Sequence, residues 1–275
     1  MNGRAKVTPR FLDVLRQVLL KVPQDFGWQR STWSREVLAL ELARRKQPLV
    51  AACTMGRALA TVGARLGAPK PFVDCPWPTR KRERRRNELR CLAANATPRE
   101  PVYFVDEVDI HLNPKVGRDW MLPGKRRYVR TPGQNKKHYL AGALNAKTRK
   151  MTWVDGGRKT SALFCKLVWR LLAENPRAKR IHLILDNFII HKSKKTQAVL
   201  AQMNDRVELH FLPPYCPDDN DIERVWLDVH NNVTRNHRCR SMRKLLRHVD
   251  GYLHARNATD GHQSGYRLPS FAKAA

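Results

Sequence analysis

Two short runs of apolar residues end in aspartate, and they constrain the fold of this chain more than any other feature. The first is Pro101-Val-Tyr-Phe-Val-Asp106 and the second is Arg180-Ile-His-Leu-Ile-Leu-Asp186. A continuous apolar run of this length is typical of a central strand that is buried on both faces. In α/β sheets, functional carboxylates commonly lie where such strands end. The sequence therefore predicts an α/β protein with Asp106 and Asp186 at strand ends.

Weaker patterns supply the rest of the sheet and its helices. Strand-like segments at His138–Leu144 and Met151–Val154, with a weaker one at Tyr128–Arg130, predict an antiparallel meander. Ser161 is predicted to cap a helix that covers the sheet and ends near Pro176. The remaining predicted elements are a lysine-rich helix from about Ser193 to Met203, a strand from Val207 to Leu212 and a basic helix from Arg235 to His254.

A third acidic position follows the last predicted strand. Residues 209–226 pass from an apolar strand through a proline-rich turn with several carboxylates into a helix, and Glu223 lies in its first turn. Carboxylates gathered in one place repel each other, so a protein that collects them usually holds a cation there. The interval between Asp186 and Glu223 is long enough for a helix, a strand and a turn that bring the two side chains together.

Each acid has a competing interpretation. Asp106 and Glu107 point to opposite faces if both lie on the strand, and Asp106 is favoured because it ends the apolar run. Asp109 is the substitute candidate. The alternative interpretation of Asp186 is an ordinary turn aspartate at a strand end. Asp218 is interpreted as a turn or helix-capping residue.

Three amphipathic segments near the N-terminus predict a small all-α unit. They run from residue 8 to 21, from near Ser31 to Arg45, and from Thr54 to Leu66. Three short helices with brief connections fit a helix-turn-helix module, whose third helix would enter the major groove and present Arg57 and Arg65. The alternative is a helical bundle that only packs on the larger domain.

Composition divides the chain into four segments. Residues 1–66 form the predicted helix-turn-helix domain, and residues 67–98 contain a proline-rich linker and a basic helix. Residues 99–256 hold the predicted sheet, and residues 257–275 have no clear period, which indicates a loose tail.

The chain is strongly basic throughout. Its 53 Lys and Arg residues against 24 Asp and Glu residues give a formal net charge of +29, which favours nucleic acid as partner over a merely solubilising surface. His191 and Lys192 are interpreted either as contacts to phosphate or metal-bound water or as surface residues at a helix start. Besides Arg57 and Arg65, the predicted DNA contacts are Arg80, Lys81, Arg82, Lys192, Lys194 and Lys195.

The sequence disfavours a membrane or an oxidising compartment. No apolar run approaches the about 20 residues that span a bilayer, and the first residues do not resemble a signal peptide, so a cytoplasmic protein is expected. The six cysteines form no Cys-x-x-Cys pair and are expected to be reduced. Irregular spacing and intervening basic residues disfavour a zinc site made from His230, His237, Cys239 and His248.

Three blocks of this sequence resemble the signature of a known family. They are Asp106-Glu107, then Leu185-Asp186-Asn187 followed by His191-Lys192, then Leu212-Pro-Pro-Tyr-Cys-Pro-Asp-Asp-Asn-Asp-Ile-Glu223-Arg-Val-Trp226. In order and spacing they resemble the transposases of the mariner superfamily, in particular the bacterial insertion-sequence 630 family, over roughly residues 25 to 255. The resemblance implies an RNase H-like catalytic domain whose acids, by position Asp106, Asp186 and Glu223, bind two Mg²⁺ ions, with Mn²⁺ as a substitute.

The resemblance also implies a function. Such transposases bind the terminal inverted repeats of an element, cleave the DNA there and join it to a TA target, so double-stranded DNA, a homodimer on DNA and a bacterial, nucleoid-associated location are expected. Two metal ions suit this chemistry, because in-line attack on a phosphodiester develops charge on the attacking and leaving oxygens. The alternatives are an RNase H-like nuclease without strand transfer and a shortened, inactive relative that acts as a DNA-binding protein or repressor.

Two departures from the family pattern stand out. Asp219 and Asp221 occupy positions where the family usually has Leu and Pro, so extra negative charge either perturbs metal binding or faces solvent. The family also commonly carries two helix-turn-helix units, whereas the residues before Asp106 have room for one, so a shortened N-terminus is expected.

Overall fold

The structure is a computed structural model that describes residues 6–67 and 73–258. The chain divides into two compact units, Met1–Phe72 and Val73–Ala275. Part of the predicted linker, residues 68–72, and most of the predicted tail, residues 259–275, lie outside the described residues. Among the described helices, none is long and apolar enough to cross a membrane. The function assigned to each unit stays a prediction.

The N-terminal unit packs three α-helices around one apolar core. Helix α1 spans Pro9–Leu19, α2 spans Arg35–Arg44 and α3 spans Ala52–Thr61. The hydroxyls of Thr8 and Ser34 cap α1 and α2, so α2 begins after Ser34 and not near Ser31 as predicted. The core includes Phe11, Leu15, Val18, Leu38, Leu42, Met55 and Ala58.

Helix α3 ends earlier than predicted. Gly63 adopts a left-handed backbone with a φ of 75°, and the N–H of Ala64 then donates to the carbonyl of Leu59 at 2.9 Å. This arrangement terminates a helix by satisfying one of its last carbonyls. Arg65 and Leu66 therefore lie beyond α3, and Leu66 is fully exposed instead of facing the core.

The second unit is built on a mixed five-stranded sheet with the order β3-β2-β1-β4-β5. The strands are β1 (Val102–His111), β2 (Lys137–Asn145), β3 (Met151–Gly156), β4 (Ile181–Leu185) and β5 (Val207–Phe211). The first three pair antiparallel as a meander, and β4 and β5 add parallel strands beside β1. The predicted strand at Tyr128–Arg130 is wrong, because its side chains have no buried face and Tyr128 is 82% exposed.

Strand β1 does not end at Asp106. It continues to His111 because it pairs with β2 throughout, including Asp106 with Gly142, whereas its pairing with β4 stops after Phe104. Asp106 therefore lies in the middle of the strand, at the point where β1 and β4 separate. Asp186 directly follows the last residue of β4, as predicted.

Helices cover both faces of this sheet. They are α4 (Thr79–Ala94), α5 (Ser161–Glu174), α6 (Lys194–Ala201), α7 (Ile222–Val229) and α8 (Met242–Ala258). The apolar residues of α5 pack on one face, and those of α7 and α8 pack on the other. The predicted cap of α5 is wrong, because Thr160 holds the N-cap position and the Ser161 hydroxyl instead lies 2.8 Å from that of Ser193.

The last helix also begins later than predicted. A π-helical turn at His230–Thr234 is followed by Arg235, which forms a parallel bridge with Lys115 in an extended conformation. That bridge keeps Arg235 out of a helix, so α8 begins at Met242 and continues past His254 to Ala258.

Candidate active site

The three predicted acids line one cavity. Its volume is about 510 Å³, and its lining includes Asp106 from β1, Asp186 after β4 and Glu223 from the first turn of α7. Asn187 and Asn220 add amides to the lining, and the proline-rich turn before α7 forms an apolar wall. The topology explains this convergence, because β1 and β4 are neighbouring parallel strands that run toward the same edge of the sheet.

A glycine sets how closely α7 approaches the sheet. Gly142 is the ladder partner of Asp106, and a Cβ at this position would lie 2.5 Å from the ring of Trp226. The Trp226 indole, which is 2% exposed, therefore packs where only glycine leaves room. Glu223 lies one turn earlier on the same helix, so this contact helps to bring its carboxylate to the cavity that Asp106 lines.

Two asparagines to which the sequence analysis gave no role hold the segments around the cavity. The Asn220 Nδ2 donates to the carbonyl of Val105 at 3.0 Å and is buried. The Asn187 Nδ2 donates to the carbonyl of Leu212 at 2.6 Å, which joins the ends of β4 and β5. Asn187 follows Asp186 directly and Asn220 lies three residues before Glu223, and that proximity was the available signal.

Asp106 and Glu223 have unbalanced charges. Burial raises the pKa of Asp106 well above its ordinary value, and the charges of Glu223 and Glu107 raise it further. Burial also raises the pKa of Glu223, helped by the charge of Asp186. Across residues 6–67 and 73–258, the salt bridges of the lysines, arginines and histidines involve other acids. Crowded carboxylates in this state fit a site that holds a cation through oxygen ligands.

Asp186 differs because the chain supplies its partners. Burial acts to raise its pKa, but a hydrogen bond from His191 and one from the N–H of Phe188 at 2.9 Å lower the pKa below its ordinary value. The His191 Nε2 lies 3.3 Å from Asp186 Oδ1. The surface interpretation of His191 is wrong, because its side chain is 2% exposed and packs edge-on against Phe164.

Glu107 lies behind this contact, on the opposite side of β1 from Asp106. Its Oε2 is 3.3 Å from the Lys159 Nζ and 3.8 Å from the His191 Nε2. Burial raises the pKa of Glu107 in spite of these neighbours, and its Oε1 has no hydrogen-bond partner among the described residues. Asp109 instead lies 2.6 Å from a ring nitrogen of His111. Of the three candidates on β1, Asp106 is the one that lines the cavity.

Comparison with known proteins gives the family. Residues 101–246 match the model of a family described as DDE superfamily endonuclease. The chain is also 41% identical over 268 residues to the insertion element IS630 uncharacterized 39 kDa protein of Shigella sonnei, across 96% of this chain and 76% of that protein. The chain belongs to the DDE superfamily of endonucleases. The predicted resemblance to the insertion-sequence 630 family is confirmed by the same identity.

Solved structures of the Mos1 transposase share the fold of this DDE endonuclease. The Mos1 paired-end complex with the left transposon end has a TM-score of 0.61 and 16% identity, across 95% of this chain and 81% of that chain. The Mos1 paired end complex with Mg has a TM-score of 0.57 and 17% identity, across 95% and 76%. The predicted fold class is confirmed for the RNase H-like sheet and its helices, whereas the helix-turn-helix character of the N-terminal unit stays a prediction.

The two acids that depart from the family pattern are neutralised by arginines. The Asp219 Oδ1 accepts from the Arg86 Nη2 at 2.7 Å and from its Nε at 2.9 Å. The Asp221 Oδ2 accepts from the Arg149 Nη1 at 2.7 Å. Asp219 does not face solvent, since its side chain is 13% exposed. The extra charge is therefore balanced locally, and the pairs anchor the turn before α7 to α4 and to the β2–β3 turn.

The predicted DNA contacts of this DDE endonuclease are dispersed, and none of them lines the cavity. Lys192 donates to the Asn187 Oδ1 at 2.9 Å, so it supports a cavity residue. Lys81 lies over the ring of Trp77, and Arg82 is half-buried. The exposed candidates are Arg57, Arg65, Arg80, Lys81, Lys192, Lys194 and Lys195. Contact of these residues with DNA stays a prediction.

Proposed function

We propose that this chain is a transposase that binds the terminal inverted repeats of its own element, cleaves the DNA there and joins the freed 3′-hydroxyl to a TA target. The observation that carries the proposal is the convergence of Asp106, Asp186 and Glu223 in one cavity. Family membership supports the same chemistry, and the similar Mos1 structure is a paired-end complex with a transposon end.

The three proposed catalytic acids are also the proposed ligands of two Mg²⁺ ions, for which Mn²⁺ is the substitute. The raised pKa values of Asp106 and Glu223 support this assignment, because they reflect carboxylate charge that the protein leaves unbalanced. Carboxylate oxygens suit Mg²⁺, and a similar Mos1 complex contains Mg. When bound, two such ions stabilise the charge on the attacking and leaving oxygens of an in-line displacement.

The residues around the acids have separate tasks in this proposal. His191 and the N–H of Phe188 keep Asp186 ionised and fix its orientation. Asn220 and Asn187 hold the two segments that carry the acids at a constant separation. The predicted basic contacts on α4 and α6 bind the phosphate backbone, which contributes affinity without sequence information. Arg57 and Arg65 in the N-terminal unit are proposed to contact the inverted repeats.

Processing of two DNA ends requires two active sites. The proposed active form is therefore a homodimer on double-stranded DNA, in which each copy supplies one set of acids. The formal net charge of +29 supports a polyanionic partner. Because the proposed substrate is DNA, the proposed location is the bacterial cytoplasm, at the nucleoid.

The test is a cleavage and joining assay. The purified chain is incubated with labelled DNA that carries the ends of the element, with a TA-containing target and Mg²⁺ or Mn²⁺. The native chain is expected to release the ends and to form joined products, and Asp186→Ala is expected to form neither. Asp109→Asn is the matched control, because it removes a carboxylate of the same sheet that does not line the cavity.

Other outcomes separate the alternative functions. Cleavage without joined products would indicate a nuclease that lacks strand transfer. Retarded DNA bands with no cleavage by any of the proteins would indicate a DNA-binding protein or repressor. Joining at targets without TA would reject the TA assignment alone.

A further inference from the structure

Three potential metal ligands lie together on one face of β4 and β5, away from the cavity. The register pairs His182 with Glu208 and Ile184 with His210, so the three side chains come from neighbouring positions on two parallel strands. Their ligand atoms all lie within 4.8 Å of one another. None of the three residues lines the cavity that holds the proposed catalytic acids.

The distances fit a shared ion better than direct hydrogen bonds to the carboxylate. A tetrahedral ion with bonds of about 2.0–2.1 Å separates its ligand atoms by about 3.3 Å. The His182 Nδ1 lies 3.0 Å from the His210 Nε2, and the Glu208 oxygens lie 3.5 and 3.7 Å from these nitrogens. The two carboxylate distances exceed the usual hydrogen-bond length. The two imidazole nitrogens lie within hydrogen-bond distance of each other, but the carboxylate forms a hydrogen bond with neither, so the three groups surround a point that an ion can share.

The surroundings of these three side chains favour coordination of a metal ion. The side chains of His182 and His210 are 11% and 15% exposed, so both imidazoles are largely held by the protein, whereas Glu208 at 44% leaves access from solvent. Arg180 Nη1 lies 3.2 Å from Glu208 Oε2. Such a contact to a ligand carboxylate is typical of the outer shell of metal sites, where it orients the ligand.

We propose that His182, His210 and Glu208 form a site for a divalent transition-metal ion, Zn²⁺ before others. Two imidazoles and one carboxylate suit Zn²⁺, whereas Mg²⁺ prefers an all-oxygen set. A bound ion bridges β4 and β5, the strands that precede Asp186 and the turn leading to Glu223. The proposed role is structural, since it ties together the two strands that position these acids.

In the experiment, a chelator first removes any metal from the full chain. The chain is then titrated with Co²⁺ in the presence of excess Mg²⁺. The excess Mg²⁺ is added to saturate the proposed carboxylate site, and Co²⁺ in a tetrahedral site with nitrogen ligands gives strong visible absorption. One equivalent of Co²⁺ is expected to bind with this absorption and to be displaced by Zn²⁺. His182→Gln and His210→Gln are each expected to weaken the affinity at least about tenfold.

His138→Gln is the matched control, because His138 is also a sheet histidine beside a carboxylate, Asp155, but outside this cluster. It is expected to bind Co²⁺ like the native chain. Circular dichroism checks the fold of each variant, and Glu208→Gln, which changes a half-exposed side chain, gives the answer if the histidine variants fail to fold. Absence of the absorption in the native chain, or equal affinity in the native chain and the Glu208→Gln variant, would overturn the proposal.

Discussion

Asp219 and Glu223 are close in sequence and are both acidic, but among the residues that the structure describes only Asp219 of the two is paired with an arginine. Asp219 is bonded by Arg86, and its neighbour Asp221 is bonded by Arg149. Glu223 lines the cavity with Asp106, and burial raises the pKa of both carboxyl groups. The contrast shows that an arginine of the chain balances the charge of an acid where that acid anchors the backbone. It leaves the charge open at Asp106 and Glu223, two of the three acids that are proposed to bind metal.

The largest expected effect separates Glu223 from Asp219. Glu223→Gln is expected to lower the rate of DNA cleavage by more than about 100-fold, because loss of a ligand exceeds the 10–100-fold effect of losing an outer partner. Asp219→Asn keeps an oxygen that accepts from Arg86 and is expected to retain most of the activity. Single-turnover cleavage of labelled DNA measures both. Equal losses in the two variants would contradict the distinction.

Replacement of His191 tests how this histidine supports Asp186. His191→Ala is expected to lower cleavage about 10–100-fold, because Asp186 loses its contact at 3.3 Å. That contact lowers the pKa of Asp186, so its loss raises this pKa and shifts the acidic limb of the pH–rate profile to higher pH. His138→Ala is the control. A reduced rate with an unshifted profile would assign His191 a purely structural role.

Gly142→Ala tests whether packing of α7 positions Glu223. The added methyl would meet Trp226 at 2.5 Å, so the free energy of unfolding is expected to fall by about 1–3 kcal/mol as the helix is displaced. Cleavage is expected to fall with it. Gly157→Ala is the matched control, since nothing lies within 4 Å of its added Cβ. Denaturant unfolding measures the stability, and unchanged stability of Gly142→Ala would contradict this packing.

A charge exchange tests the anchoring role of Asp219. Arg86→Asp and Asp219→Arg are each expected to lower the free energy of unfolding by about 1.5 kcal/mol, the low end for a charged hydrogen bond because Arg86 is partly exposed. The double variant is expected to recover part of this loss, since the opposite charges again face each other. If the effects of the two single changes simply add, the pair does not stabilise the turn.

The smallest effect concerns stability without metal. The pKa of Asp106 is higher in the folded state than in the unfolded state, so ionisation of this group destabilises the fold. The destabilisation is complete at a pH above the folded-state pKa and absent at a pH below the unfolded-state pKa. Asp106→Asn removes this cost and is expected to raise the melting temperature in chelator by about 2–4 °C at pH 7.5, for about 1 kcal/mol. The gain is expected to vanish near pH 4. A decrease at pH 7.5 would contradict the unbalanced charge.

The sequence predicted the strands and the clustering of acids, but not the partners of those acids. The apolar runs indicated β1 and β4, because buried strands require apolar residues on both faces. The position of Asp106 in the middle of β1 was missed although Val108 and Ile110 alternate with polar residues after it. Burial of His191 and the pairing of Asp219 depend on residues distant in sequence, such as Glu107 and Arg86. Local patterns carry no information about such contacts.

The amide of Asn220 has a consequence for the shape of the sheet. The carbonyl of Pro101 accepts from His182 of β4, and carbonyl directions alternate along a strand, so the carbonyl of Val105 points to the same side. Because β4 pairs with β1 only as far as Phe104, Asn220 occupies the place of the missing strand neighbour. The cavity thus lies where the two strands diverge, and the Asn220 side chain bonds the free edge of β1 there.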